Sequence, residues 1–171
     1  MKSKLTTTLL AAFLGFSSAH AIACGIDNGA FFQTIGTMPS GTFGVALAIN
    51  EAKENQEIVV SEKHTQRLDI LLWQFQQRLK SHYTGEEFDI TLYDIAGNHF
   101  LNIIADGKVI TSSAHELPED GQSVIFGVTD ASVLFALASD AMTFTQAQSL
   151  GIWRSEEGSE VFNQLLHKAF G

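Results

Sequence analysis

The side chains able to do chemistry are few and scattered. The 171 residues contain one cysteine, Cys24, and histidines at 64, 82, 99, 115 and 167, with His20 near the N-terminus. A metal site needs ligands brought together by short spacings such as His-x-x-x-His or Glu-x-x-His, and none occurs. His115 and Glu116 are adjacent, and neighbours on an extended segment point apart. No metal site is expected, and His64 and His82 read as solvated ends of one helix. A serine hydrolase of the strand–elbow–helix type would show Gly-x-Ser-x-Gly, which is absent. Asp94, Asp106 and Asp120 fall where turns favour aspartate. Gly25-Ile26-Asp27-Asn28-Gly29 fits neither the dinucleotide nor the phosphate-loop pattern. The reading is therefore a protein without catalytic residues and without a cofactor.

The N-terminus carries an address. Met1-Lys2-Ser3-Lys4 is a short basic start, Leu5 to Phe16 an apolar run, and Ala19-His20-Ala21 a small-residue exit, the three parts of a secretory signal peptide. The run is too short to span a bilayer comfortably. Residues 1–21 are read as the signal, or 1–23 if the chain is a lipoprotein. Ala21-Ile22-Ala23-Cys24 resembles the lipobox of bacterial lipoproteins, with Ala21 where Leu is usual. That resemblance implies lipidation of Cys24 and membrane contact through the lipid; the alternative is a plain thiol near the new N-terminus. Either way the expected location is outside the cytoplasm, in a bacterial periplasm or anchored to a membrane.

Without Lys2 and Lys4 the chain keeps 8 basic and 19 acidic residues, a net charge of −11. Such a surface repels nucleic acid and anionic lipid headgroups. A single cysteine leaves no intrachain disulfide, so stability must come from a core. Hydrophobic residues make up 45% and charged residues 17%, the balance of a folded domain. Phenylalanine stands out at 13 residues against two tyrosines, which suits a packed interior and equally an apolar cavity.

The elements follow from periodicity. Residues 22–42 read as an irregular arm rich in Gly, Thr and Ser, and 43–171 as one α+β domain. A helix is expected from after Ser40 to about Asn55, with Val45, Ala48, Ile49 and Ala52 on one face. From Glu62 to His82, Leu68, Leu71, Leu72, Phe75 and Leu79 recur at helical spacing, and a protein partner could dock on this helix. The period then switches to two: Phe88–Tyr93, Phe100–Ile104 and Val109–Thr111 read as strands, with Asp106-Gly107 a hairpin turn. Ser123–Thr129 is a further strand, and Asp130 an N-cap for a helix over Ala131–Ala138. Thr143–Ser149 is a short helix capped by Thr143 or Thr145. Gly151–Ser155 is a strand, and Gly158–Phe170 a closing helix with Val161, Leu165 and Ala169 on one face. The expected fold class is α+β, an antiparallel sheet of about five strands covered by helices.

The second half, about residues 85–170, resembles the sterol carrier protein 2 family of lipid-binding domains. The resemblance lies in a meander with an Asp106-Gly107-Lys108 turn, a strand leading into a short helix (Val124–Ala138), and a helix ending Ala147-Gln148-Ser149-Leu150-Gly151. A strand, Gly158 and an apolar terminal helix complete it. The chain departs from the family at Gly151-Ile152-Trp153-Arg154. The resemblance implies a non-catalytic binding protein for a hydrophobic small molecule, a sterol, acyl chain or similar lipid, held between sheet and short helices. Apolar ligands gain about 25 cal/mol per Å² removed from water. Candidates for the lining are Phe126, Leu134, Leu137, Met142, Phe144, Trp153, Phe162 and Leu166. Each is equally an ordinary core position, since apolar residues at these spacings commonly just pack. The rival reading is an accessory lipoprotein of the envelope with a solid core and no ligand.

Overall fold

The structure is a computed structural model that describes residues 39–58, 67–114 and 124–171. The expected signal peptide, Cys24 and most of the expected arm lie outside the described residues, as do His64 and His115.

Helix α1 (Thr42–Glu54) buries Val45, Ile49 and Ala52, the face its spacing predicts, and the Thr42 hydroxyl donates to the Pro39 carbonyl at 2.6 Å. Helix α2 (Leu68–His82) buries Leu71, Leu72, Phe75 and Leu79. It does not run unbroken from Glu62, because Arg67 precedes it with non-helical backbone (φ −130°, ψ 61°). Residues 62–66 of the expected span lie outside the described residues.

Strands β1 (Glu87–Asp94), β2 (His99–Asp106) and β3 (Ile110–Ala114) form the expected antiparallel meander. The β2–β3 turn works as its residues suggest. The Asp106 carboxylate accepts from the amides of Lys108 and Val109, both at 2.9 Å, and Gly107 takes φ +83°. Strand β4 (Ile125–Thr129) departs from expectation. It pairs with β1 in parallel, and β5 (Arg154–Ser155) pairs antiparallel to β4. The five-stranded sheet, ordered β3-β2-β1-β4-β5, is therefore mixed and not antiparallel. The cause is non-local: β2 already fills one side of β1, and β4 takes the other, where its direction matches that of β1.

Helix α3 (Ala131–Ala138) is capped by Asp130, which accepts from the Ser132 amide at 2.7 Å. Helix α4 (Phe144–Ser149) carries a reciprocal capping box between Thr143 and Gln146, so Thr143 is its cap and Thr145 is not. Helix α5 (Glu160–Phe170) buries Phe162, Leu165, Leu166, Ala169 and Phe170. Leu165 and Ala169 of the expected face are buried with Phe162 and Leu166 beside them, whereas Val161 of that face is 38% exposed.

Register divides the sheet's side chains. One face presents Phe88, Ile90, Leu92 and Asp94 with Ala105, Ile103, Leu101 and His99 opposite them. This face meets the helices: Phe88 lies 5.2 Å from Phe162 of α5, and Asp94 bonds to α3. The other face carries Thr91, Tyr93, Asn102, Phe100, Phe126 and Val128, with Tyr93–Phe100 and Phe100–Phe126 ring contacts at 5.1 and 6.0 Å.

Candidate functional site

Seven of the eight lining candidates belong to the buried hydrophobic core. Leu134 and Leu137 sit on α3, Met142 on the α3–α4 link, Phe144 opens α4, Trp153 precedes β5, and Phe162 and Leu166 lie on α5. All seven are buried, Leu134, Leu137, Phe144 and Leu166 to 0% exposure. Their rings are in a row. Phe88 meets Phe162 at 5.2 Å, Phe162 meets Trp153 at 6.4 Å, and Trp153 meets Phe144 edge-on at 5.3 Å. The His167 ring closes the row against Phe144 at 4.7 Å. Phe126 is the exception. Register puts it on the other face, beside Phe100, so it does not join this group.

A polar chain borders the aromatic row. The Trp153 indole N–H donates to Ser155 Oγ at 2.9 Å, the Ser155 hydroxyl to Asn163 Oδ1 at 2.8 Å, and Asn163 Nδ2 to Ser159 Oγ at 3.3 Å. It anchors the one polar atom of the indole, which would otherwise be costly to bury, and ties β5 to α5. The result is a buried apolar row with its one polar ring atom satisfied at the β5–α5 end.

A second cluster escaped the sequence reading. Asp94, expected as a turn aspartate, ends β1 with 1% exposure. Its Oδ1 accepts from the Ala131 amide at 2.9 Å, and its Oδ2 lies 3.1 Å from Nε2 of buried His99. Burial raises the Asp94 carboxyl above the ordinary carboxylate range; His99, the Ala131 amide and the Gly97 amide oppose the rise, and the charge of Asp130 adds to it. Asp130, also buried, lies 3.4 Å from Lys53 Nζ of α1 and accepts from the Ser132 hydroxyl. Gly97 packs directly on the pair: a Cβ there would overlap the His99 ring and meet Asp94 Oδ2 at 2.5 Å. The signal available in sequence was the spacing Asp94-x-x-x-x-His99 across a tight turn, which makes the two directly opposed partners once the hairpin register is known. Among the described residues no group of three or more His, Cys, Asp or Glu side chains could hold a metal ion.

No family model matches the sequence, and neither does any curated protein. Among solved structures, the chain is similar to the double mutant S233Y F250G of the sec-alkyl sulfatase PisA1, at 10% identity and a TM-score of 0.47, over 60% of this chain and 16% of that one. It is similar to the stereoselective inverting sec-alkylsulfatase Pisa1 from Pseudomonas sp. at 8% identity and a TM-score of 0.41, over 56% and 14% of the two chains. Palmitated SCP2L2 from Aedes aegypti is similar at 8% identity and a TM-score of 0.41, over 59% of this chain and 95% of that one. The chain thus spans about one-sixth of the sulfatases it resembles.

Proposed function

We propose that this chain is an exported binding protein that holds a hydrophobic small molecule, a sterol, acyl chain or similar lipid, without turning it over. The observation that carries the reading is the aromatic row Phe88–Phe162–Trp153–Phe144 between sheet and helices, flanked by Met142 on a connecting segment. A wall of rings and flexible thioether takes apolar guests of varied shape. The order of elements along the chain supports it. Export, and membrane contact through a lipid on Cys24, rest on the N-terminal pattern alone. The partner surface expected of helix 62–82 would be the outer face of α2, where Trp73 is 58% exposed.

One observation favours the rival, an accessory lipoprotein with a solid core. Met142, Phe144, Trp153 and Phe162 are at most 6% exposed, so the protein's own side chains already surround them. Native mass spectrometry followed by organic extraction of the mature protein, purified from its exported compartment, separates the two. Near-stoichiometric lipid supports the binding reading and names the ligand class. A clean mass with no uptake of a fluorescent fatty acid or sterol supports the rival. Met142→Asp should abolish uptake with a modest loss of stability; if it unfolds the protein, the residue is core.

A further inference from the structure

Where β1 ends, titratable groups from four parts of the fold meet. Asp94 stands on β1 and His99 on β2. Asp130 lies at the β4–α3 junction, and Lys53 reaches in from α1. Tyr93, next to Asp94, points to the opposite face and donates to Asn98 Oδ1 at 2.7 Å. We propose that the Asp94–His99 pair is a proton-dependent latch on α3: with one proton between them the pair holds the helix N-terminus on the sheet, and without it two buried carboxylates share one lysine and that end loosens.

The geometry supplies each part. Asp94 Oδ1 takes the Ala131 amide, the first of α3, so this carboxyl is the direct tie between sheet and helix. Its other oxygen has the imidazole 3.1 Å away, close enough to share a proton. Asp130 is the residue immediately before that amide, so a charge on Asp94 faces a second carboxylate, whose own cation Lys53 lies 3.4 Å away. Two like charges taken out of water at such a site disfavour joint ionisation. The sign follows by linkage. A carboxyl that holds its proton more tightly when closed than when open makes the closed state favourable at low pH. That advantage is lost as pH rises through the closed-state value. Leu134 and Leu137, two of the apolar wall, ride on α3, so loosening its end would admit a ligand. That consequence rests on the binding reading; the latch itself does not.

Amide hydrogen exchange of the full chain tests it, read over residues 131–134 from about pH 4 upward and corrected for the intrinsic base-catalysed rate. In the wild type, protection there should fall, up to tenfold for each pKa unit by which closing holds the proton. In Asp94→Asn it should stay flat, because the amide is neutral, still accepts from Ala131, and can donate to His99. Amides of α5 should not change in either protein. Parallel profiles in wild type and variant, or an equal loss in α5, would overturn the latch. If Asp94→Asn does not fold, Asp130→Asn carries the test: asparagine still caps the helix, and removing the second carboxylate should make the fall shallower, burial of Asp94 supplying the rest. A wild-type slope in Asp130→Asn refutes the proposal. Uptake of a fluorescent fatty acid over the same range should quicken with pH in the wild type alone; a clear exchange step with no uptake at any pH leaves the latch standing and overturns the binding reading.

Discussion

Phe144→Ala probes both the packing of the aromatic row and what it is for. Phe144 is the first residue of α4, 0% exposed, and lies edge-on to Trp153 at 5.3 Å and to His167 at 4.7 Å. Truncating a phenylalanine packed this way costs about 3–5 kcal/mol, from lost transfer energy and from the space left behind. The two edge-to-face contacts, at about 0.5–1.5 kcal/mol each, place the loss toward the upper end. Against a typical domain stability of about 5–15 kcal/mol that is a large share. For a domain of this size Tm should fall by roughly 6–20 °C, at about 2–4 °C per kcal/mol. The assay is urea unfolding followed by tryptophan fluorescence, with the midpoint shifted and the m-value unchanged. The ligand arm sharpens it. An apolar void stays dry and accepts an apolar guest. A fatty acid at a hundredfold excess over its Kd should then return about 2.7 kcal/mol. A loss below about 1 kcal/mol would refute the packing argument. A full loss that fatty acid does not relieve, in a protein whose wild type takes up none, would mark the row as solid core.

Four further outcomes follow from particular contacts. Gly97→Ala should push the His99 ring off Asp94, lowering stability by about 1–3 kcal/mol and moving the His99 ring resonances in NMR, whereas Ala96→Gly next to it should not. Asp94→Ala strips the Ala131 amide and His99 of their shared partner, and denaturant unfolding should show a loss of about 3–5 kcal/mol. Arg78 forms a bidentate pair with Asp140 at 2.6 and 3.1 Å, donates to the Ala169 carbonyl at 3.0 Å and lies over the Phe170 ring. Asp140→Asn should therefore cost under about 1 kcal/mol, as exposed pairs do, and Arg78→Ala more; a double-mutant cycle separates the two. Glu86, held by the Thr84 hydroxyl and amide and by Lys168, should titrate at about 2 and not at 4.5 in carboxyl NMR. Its lowered value places its contribution above the ordinary carboxylate range, to be lost as pH falls toward 2.

Local signals were legible and long-range pairing was not. Thr143 was one of two candidate caps and proves to be the cap, Asp130 precedes an apolar run, and Asp106-Gly107 is a turn dipeptide; each acts within a few residues. The period of two in β1 and β2 likewise survives, because their hairpin is local. What pattern cannot supply is which free edge a later strand will choose. Strand β4 takes the outer side of β1, turning an antiparallel sheet into a mixed one, and this choice depends on the packing of the whole sheet. It also decides the fate of Phe126. Its register opposite Thr91 sends the ring to the face away from Phe144 and Trp153, although its sequence neighbourhood is that of the other candidates.

The same logic explains why the apolar candidates could be named and the charged cluster could not. An apolar residue announces its burial by spacing, so Leu134, Leu137, Phe162 and Leu166 were legible before any packing was known. Asp94 looked like a turn residue and His99 like one of several scattered histidines, because polar side chains are usually exposed. They are buried because three separate decisions of the fold coincide. The hairpin register sets them opposite each other, the absence of a side chain at Gly97 lets the imidazole lie flat against the turn, and β4 delivers the start of α3 to Asp94. Removing any one of these leaves a carboxylate that could find water. Together they hold it at 1% exposure, with a helix amide on one oxygen and an imidazole on the other. An apolar pair on this face would have packed with less desolvation cost. The polar pair therefore does something that packing alone would not, and a proton-dependent hold on α3 is the use its geometry supports.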